Sequence, residues 1–382
     1  MYFRIGINDN KYINMKILVI FGTRPEAIKM APLIKLMKKS LYVKVCVTGQ
    51  HRELLDQVME FFQIKPDYDF NLMKKNQDLG FIISRILDNV TKILKKEKFD
   101  WVLVQGDTVS TMAGTMAAFL QKIPVGHLEA GLRTYDLYSP FPEELNRQIT
   151  SKMVSLHFAP TFESKRNLIN EGFKENNIII TGNTGIDALK WTIKHSKSTD
   201  LKLPFNQKLF KIILVTGHRR ENFGKGLKQI CEAIKSIAKQ KNDIQILFPV
   251  HLNPNVRIPV KKFLSGLPNL HLFEPMEYQK FVHLMNISTI ILTDSGGIQE
   301  EAPSLGKPVL VMRDRTERTE ALNTGSIKLV GTNSKKIFEE TITLLDDRVQ
   351  YIKMAQVKNP YGDGTASEKI LSALKNFKKM KS

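Results

Sequence analysis

At 382 residues, with 42% apolar and 25% charged side chains, the chain is too long for one ordinary core and too hydrophobic for disorder, so two domains with a cleft between them are expected. The formal net charge of +19 raises nucleic acid or an anionic membrane surface as a partner. Yet 43 of the 57 cationic side chains are lysines, against 14 arginines, scattered along stretches such as 35–39 and 93–98, without the arginine forks, stacking aromatics or basic stripes that nucleic acids require; the charge reads as a solvated surface that helps attract an anionic substrate.

Residues 1–14 lack the apolar core of a signal peptide. Met15 immediately precedes the first convincing strand, so 1–14 reads as a disordered extension or a start-site artefact, dispensable to the fold. A first domain, 15–190, alternates short β-branched runs with amphipathic stretches, the pattern of βαβ units building a parallel sheet. Its strands are expected at 16–21, 43–48, 101–105, 123–128 and 156–160. Helices are expected at 25–39, opening with proline, and at 79–96. The polar, aperiodic stretch 194–208 reads as the linker or the start of the second domain. That domain, 191–365, restarts the rhythm with strands at 211–216, 244–250, 270–273, 289–293 and 308–312, and 367–380 closes the chain as an amphipathic helix. Cys46 and Cys231 sit in apolar surroundings with no CxxC, and no window approaches 18 uninterrupted apolar residues. A reducing compartment, the cytoplasm, is expected, with no membrane partner.

The fold class is therefore α/β, two Rossmann-like doubly wound sheets. In such sheets ligands bind beyond the carboxyl ends of the strands, where helix N-termini face inward. Seven of the expected strands end in polar, glycine-rich or basic loops: GTRPE (22–26), GDT (106–108), EAGLRT (129–134), GHRREN (217–222), HLNPN (251–255), DSGG (294–297) and RDRTER (313–318). DSGG followed by IQEEAPSLG (298–306) has the parts of a phosphate site: Gly296 and Gly297 admit an anion to backbone N–H groups, Ser295 can donate, and Glu300 or Glu301 can accept from ribose hydroxyls. The same residues also suit an ordinary glycine turn with acids in a helix's first turn. Arg24, Lys29, Arg133, His218, Arg219, Arg220 and Arg318 supply cations suited to a pyrophosphate, or to surface ion pairs. Asp107, Glu129 and Glu143 are three acids in the first domain's loops, suited to removing and returning a carbon-bound proton, or to helix capping and a structural salt bridge. No metal-ligand spacing appears, and His127 reads as a core histidine or one behind the site.

FGTRPEAIKMAPL (21–33), QGDT (105–108), HLEAGLRT (127–134), SPFPEELNR (139–147), TGHRREN (216–222), FPVHLNP (248–254) and TDSGGIQEEAPSLGKPVLVMRDRTER (293–318), in this order, resemble the non-hydrolysing UDP-N-acetylglucosamine 2-epimerases from about Met15 to the C-terminus. The resemblance implies a glycosyltransferase-B-like pair of domains, a homodimer, a C-terminal helix (366–382) packing back on the first domain, and no cofactor or metal. It implies reversible inversion at C2 of a UDP-sugar, by elimination of UDP to a bound glycal and re-addition, serving cell-surface polysaccharide precursors. Matched by motif, it makes Asp107, Glu129, Glu143 and His218 the catalytic candidates. Arg24, Lys29, Ser295, Gly296, Gly297, Glu301 and Arg318 then contact substrate, with Phe281 on the uracil side and Met276 where glutamine is expected in the enterobacterial type. It further implies a second UDP-N-acetylglucosamine as activator, near Gln50, His51, Arg52, Arg219 and His251. A glycosyltransferase would have little use for three first-domain acids. A hydrolysing epimerase and an epimerase of a 6-deoxy UDP-sugar remain alternatives.

Overall fold

The structure is a computed structural model that describes residues 15–49, 52–72, 78–196 and 201–377; the segment 1–14 lies outside the described residues. The chain divides into two compact units, Met1–Ala188 with Gly362–Ser382, and Leu189–Tyr361.

In the first unit, β1 (Lys16–Phe21), β2 (Tyr42–Val47), β3 (Tyr68–Asp69), β4 (Trp101–Gln105), β5 (Val125–Leu128), β6 (Leu156–Ala159) and β7 (Ile178–Ile180) form a parallel sheet of order β3-β2-β1-β4-β5-β6-β7. In the second, β8 (Lys211–Thr216), β9 (Ile244–Pro249), β10 (Leu270–Phe273), β11 (Ile290–Thr293), β12 (Val309–Val311) and β13 (Ile327–Leu329) run parallel in the order β10-β9-β8-β11-β12-β13. Each sheet reverses its strand order beside the unit's first strand, so the loops after β1 and β4, and after β8 and β11, part to opposite faces and leave a crevice at that switch point.

The central strands are continuous apolar runs because helices cover both faces: β1 is buried from Ile17 to Phe21. Helix Leu79–Lys96 repeats Ile82, Ile86, Val90 and Ile93 at helical spacing and buries that stripe. Each such side chain contributes roughly 1.5–3 kcal/mol. Cys46 and Cys231 are free, buried thiols, and burial pushes both upward from the ordinary range. Among the described residues no helix is long and apolar enough to cross a membrane.

The structure differs from the sequence reading at three kinds of place. The strand expected from residue 123 begins at Val125, after Pro124, which has no N–H to give a ladder. The helix expected at 298–306 starts earlier, as an α-helix Gly296–Glu301, and tightens into a 3-10 turn Ala302–Leu305 containing Pro303. The unit boundary falls inside helix Thr184–His195, upstream of the polar stretch expected to mark it.

The end of the chain belongs to the first unit. Asp187 accepts from the backbone N–H groups of Ala366 (3.2 Å) and Ser367 (2.7 Å), which caps helix Ala366–Asn376. Gly362 enters that segment at φ +118°, and a Cβ there would lie 3.2 Å from the Cα of Gly182.

Candidate functional site

In the first unit the switch-point loops meet at Glu26. Thr23 ends the loop after β1, Pro25 opens helix Arg24–Met37, and Glu26 reaches back to the N–H groups of Gly22 (3.0 Å) and Thr23 (2.7 Å). The Thr23 and Thr108 hydroxyls donate to the same carboxylate at 2.8 and 2.6 Å, so Glu26 ties the loop after β1 to the loop after β4. Full burial raises its pKa from the ordinary carboxylate value, against the pull of these donors.

Asp107 follows β4. Arg147 donates to its Oδ2 from both Nε (3.0 Å) and Nη2 (2.8 Å), and the Asn146 amide donates to its backbone carbonyl at 2.8 Å. Glu129 follows β5 at φ +62°, a left-handed conformation costly to a residue with a Cβ. It is ion-paired to Lys29 and accepts from Gln105 Nε2 at 2.7 Å and Asn183 Nδ2 at 3.4 Å. Glu143 opens helix Glu143–Met153, and its Oε2 is buried without a hydrogen-bond partner. Glu144, fully buried beside it, accepts from Thr134 N–H (3.0 Å), Tyr135 N–H (3.3 Å), Gln148 Nε2 (2.9 Å) and Arg147 Nη1 (2.8 Å). Burial would raise the Glu144 pKa; Gln148, the Thr134 N–H and Arg147 instead hold it below the ordinary range.

His127 and His157 stand side by side on β5 and β6. Burial drives them down to about 4 and about 3, so both rings are neutral in the folded chain near pH 7. His127 Nε2 lies 2.7 Å from the Gly106 carbonyl, which backs the Asp107 loop. Arg133, which the sequence left between a site cation and an ion pair, forms the ion pair. Its guanidinium is inaccessible, gripped by Glu171 (2.6 and 3.0 Å) and Ser151 (2.8 Å), and serves as a strut under the loop.

In the second unit Asp294 plays the organising part. It follows β11 and accepts from the backbone N–H groups of His218 (2.9 Å) and Arg219 (2.9 Å) and from Asn222 Nδ2 (3.2 Å), which shapes the loop after β8. Burial would raise its pKa, but the His218 contact and these N–H groups bring it below the ordinary range. The His218 ring, at 3.3 Å from Asp294 Oδ1, stacks on His251 with centroids 5.6 Å apart. Ser295 and Gly296 begin the short helix after β11, and a Cβ on Gly296 would lie 3.1 Å from the Arg318 guanidinium carbon. Arg318 is bound to buried Glu300 (2.7 and 2.8 Å) and to Glu317 (3.1 Å). Of the two acids read as ribose acceptors, Glu300 is therefore committed to Arg318, whereas Glu301 is half-buried at the end of the same helix. Burial would raise Glu317, but Arg318 and Arg313 lower it to about 2.

Arg24 and Lys29 lie on the first two turns of helix Arg24–Met37. Gly297 follows Gly296, Phe281 lies half-buried on helix Tyr278–Ile287, Met276 is half-buried just before it, and Arg220 is exposed. Gln50 and His51 lie outside the described residues; Arg52 opens helix Arg52–Phe61. Among the described residues no group of three or more His, Cys, Asp or Glu is arranged to hold a metal. The sequence reading missed Glu26, Glu144, Arg147, Asp294 and Glu317. Three carried a signal: Glu26 stands three residues after Thr23, the capping-box spacing, and Glu144 and Arg147 stand at the i, i+3 spacing of a helical ion pair.

A family model for the UDP-N-acetylglucosamine 2-epimerases matches residues 35–375. The UDP-N-acetylglucosamine 2-epimerase of Escherichia coli K12 is 55% identical over 371 residues, 95% of this chain and 99% of that protein. The Neisseria meningitidis UDP-GlcNAc 2-epimerase, solved bound to UDP-GlcNAc, superposes with a TM-score of 0.87 at 52% identity, covering 95% of this chain and 100% of its own. The Methanocaldococcus jannaschii UDP-GlcNAc 2-epimerase in complex with UDP-GlcNAc and UDP gives 0.76 at 34% identity, with 95% and 100% covered.

Proposed function

Since the chain belongs to the UDP-N-acetylglucosamine 2-epimerase family and is an isomerase, we propose that it interconverts UDP-N-acetylglucosamine and UDP-N-acetylmannosamine by elimination and re-addition of UDP. A carboxylate removes the proton at C2 as the bond from C1 to the UDP oxygen breaks, which leaves a bound glycal. UDP then re-forms its bond to C1 while a carboxylic acid returns a proton to the opposite face of C2. Atoms and charge balance without a redox cofactor or metal.

The observation that carries this reading is that two of the first unit's candidate acids, Glu143 and Asp107, keep acceptor capacity. Glu143 Oε2 is buried with no partner, on the helix whose Arg147 occupies only one oxygen of Asp107. Asp107, Glu129 and Glu143 divide the proton transfers, with Lys29 ion-paired to Glu129. The backbone of Ser295, Gly296 and Gly297, with Arg318, takes the diphosphate; Glu301 takes the ribose, and Phe281 and Met276 the uracil side. His218 sits by the leaving diphosphate, and Arg24 joins Lys29 in binding substrate.

A second UDP-N-acetylglucosamine acting through Gln50, His51, Arg52, Arg219 and His251 belongs to the same reading, as do a homodimer and a cytoplasmic role in supplying surface-polysaccharide precursors. The relative solved with both UDP-GlcNAc and UDP supports the activator. Plain saturation kinetics from UDP-N-acetylmannosamine, with no lag relieved by the other epimer, would remove it. The reaction itself is tested by incubation with UDP-N-acetylglucosamine and NMR of the products. Two UDP-sugars at equilibrium are expected; free N-acetylmannosamine would move the chain to the hydrolysing class, and an unchanged substrate would sink the reading.

A further inference from the structure

Helix Glu143–Met153 does more than present Glu143. Its first five residues reach each of the other acid-bearing loops. Glu144 takes the N–H groups of Thr134 (3.0 Å) and Tyr135 (3.3 Å), the far end of the segment that starts at Glu129. Asn146 holds the backbone of Asp107, and Arg147 holds its side chain. Two N–H groups of Arg147 converge on the same oxygen, Oδ2, at 3.0 and 2.8 Å. Among the described residues, Oδ1 of Asp107 accepts no hydrogen bond.

An aspartate carboxyl turns freely about its last bond, because that torsion has a broad minimum. One donor leaves much of that freedom; two planar donors on one oxygen remove it. Arg147 is itself fixed, by a 2.8 Å bond from Nη1 to Oε2 of Glu144. Glu144 is in turn immobilised in the interior by Gln148 (2.9 Å) and the two loop N–H groups.

We propose that Arg147, locked by Glu144, is a positioning residue that selects Oδ1 of Asp107 as the oxygen presented to the sugar. This rests on the reading of Asp107 as an acid/base group. Arg147 touches no reacting atom in this account; it acts through Asp107 alone. Its loss leaves both carboxylate oxygens present but undirected, and a misplaced group of this kind costs about a hundredfold in turnover.

The test uses the full chain and measures kcat and KM for UDP-N-acetylglucosamine, UDP affinity and thermal melting for Arg147→Ala, Arg147→Lys and Glu144→Gln. Arg147→Ala is expected to lose about a hundredfold in kcat with KM and UDP affinity within about twofold, and added guanidinium ion should restore part of its turnover but none in the wild type. Arg147→Lys should fall between, because an ammonium cannot make the fork. Glu144→Gln loosens Arg147 without removing it and should lose about tenfold in kcat at unchanged KM. If kcat, KM and melting temperature fall together in Arg147→Ala with no rescue, Arg147 is only a structural ion pair and the proposal fails. Should Arg147→Ala not fold, an undiminished kcat in Glu144→Gln overturns it. Asp107→Asn separates this from the parent reading. Exchange at C2 surviving in Asp107→Asn removes Asp107 from the chemistry altogether, whereas a dead Asp107→Asn beside a fully active Arg147→Ala removes only the positioning role.

Discussion

The two units differ in how completely their acids are taken up by neighbours. In the second unit Asp294, Glu300 and Glu317 are consumed by neighbours: Asp294 gathers N–H groups from the loop after β8, Glu300 and Glu317 hold Arg318, and Asp294 and Glu317 lie below the ordinary carboxylate range. Such acids shape loops and aim cations. In the first unit Glu26 and Glu144 are likewise taken up by loop N–H groups, but Glu143 has an unpartnered buried oxygen and Asp107 is held through one oxygen only. A carboxylate cluster with open acceptor atoms can exchange protons; a saturated one can only hold. The difference fits the proposed reading, in which the first unit carries proton transfer and the second holds the nucleotide.

The largest expected effect tests the first half of that contrast. Asp107→Asn should lower kcat by about 10²–10⁴-fold while UDP affinity stays within a few fold, measured by steady-state kinetics and calorimetry; a variant that still turns over at a tenth of the wild-type rate removes Asp107 from the acid/base set. Next, Gly131→Ala should destabilise the first unit by roughly 2–4 kcal/mol, because Gly131 sits at φ +90° and a Cβ there would lie 2.2 Å from the Ser164 carbonyl oxygen. A melting temperature unmoved by this substitution would contradict the packing described.

Acid should loosen the first unit more than the second, although burial lowers His251, His271 and His283 there as well. His127 and His157 titrate at about 4 and about 3 when folded, below the ordinary 6.5 of an unfolded chain. The unfolded state therefore binds protons first, and stability is full above pH 6.5 and falls as pH drops from there toward 4, by on the order of a few kcal/mol. The contribution from Glu317, whose folded value is about 2, is present above 4.5 and is lost only as pH falls through about 2. Trp101 lies in the first unit and Trp191 in the second, so denaturant melts of single-tryptophan variants at pH 7 and 5 report them separately; equal acid sensitivity would break the contrast. The smallest effect expected is on UDP. Arg318→Lys keeps the charge but loses the fork, and should weaken UDP by about tenfold with the melting temperature little changed; unaltered affinity would take Arg318 out of the diphosphate site.

The sequence disclosed the central strands, since both faces are covered and they read as unbroken apolar runs. It did not disclose β3, β7 and β13, all of which are sheet edges of two or three residues with one side toward solvent. Nothing in a run of that length separates a strand from a loop. The candidate acids Asp107 and Glu129 were legible because they follow strands, and Glu143 because it stands in the motif SPFPEELNR (139–147). Glu143 and Glu144 are neighbours of identical type, however, and only the turn of the helix decides which one enters the interior. Which of its two fates Arg133 takes was not legible, because its partner, Glu171, stands 38 residues away.

The division of labour is tested most directly on Glu129→Gln. The variant is incubated with UDP-N-acetylglucosamine in D₂O, C2 deuterium is followed by NMR, and UDP affinity is measured on the same preparation. The account predicts no deuterium at C2 with UDP binding retained. Deuterium entering at the wild-type rate, or UDP affinity lost while the chain stays folded, would contradict it.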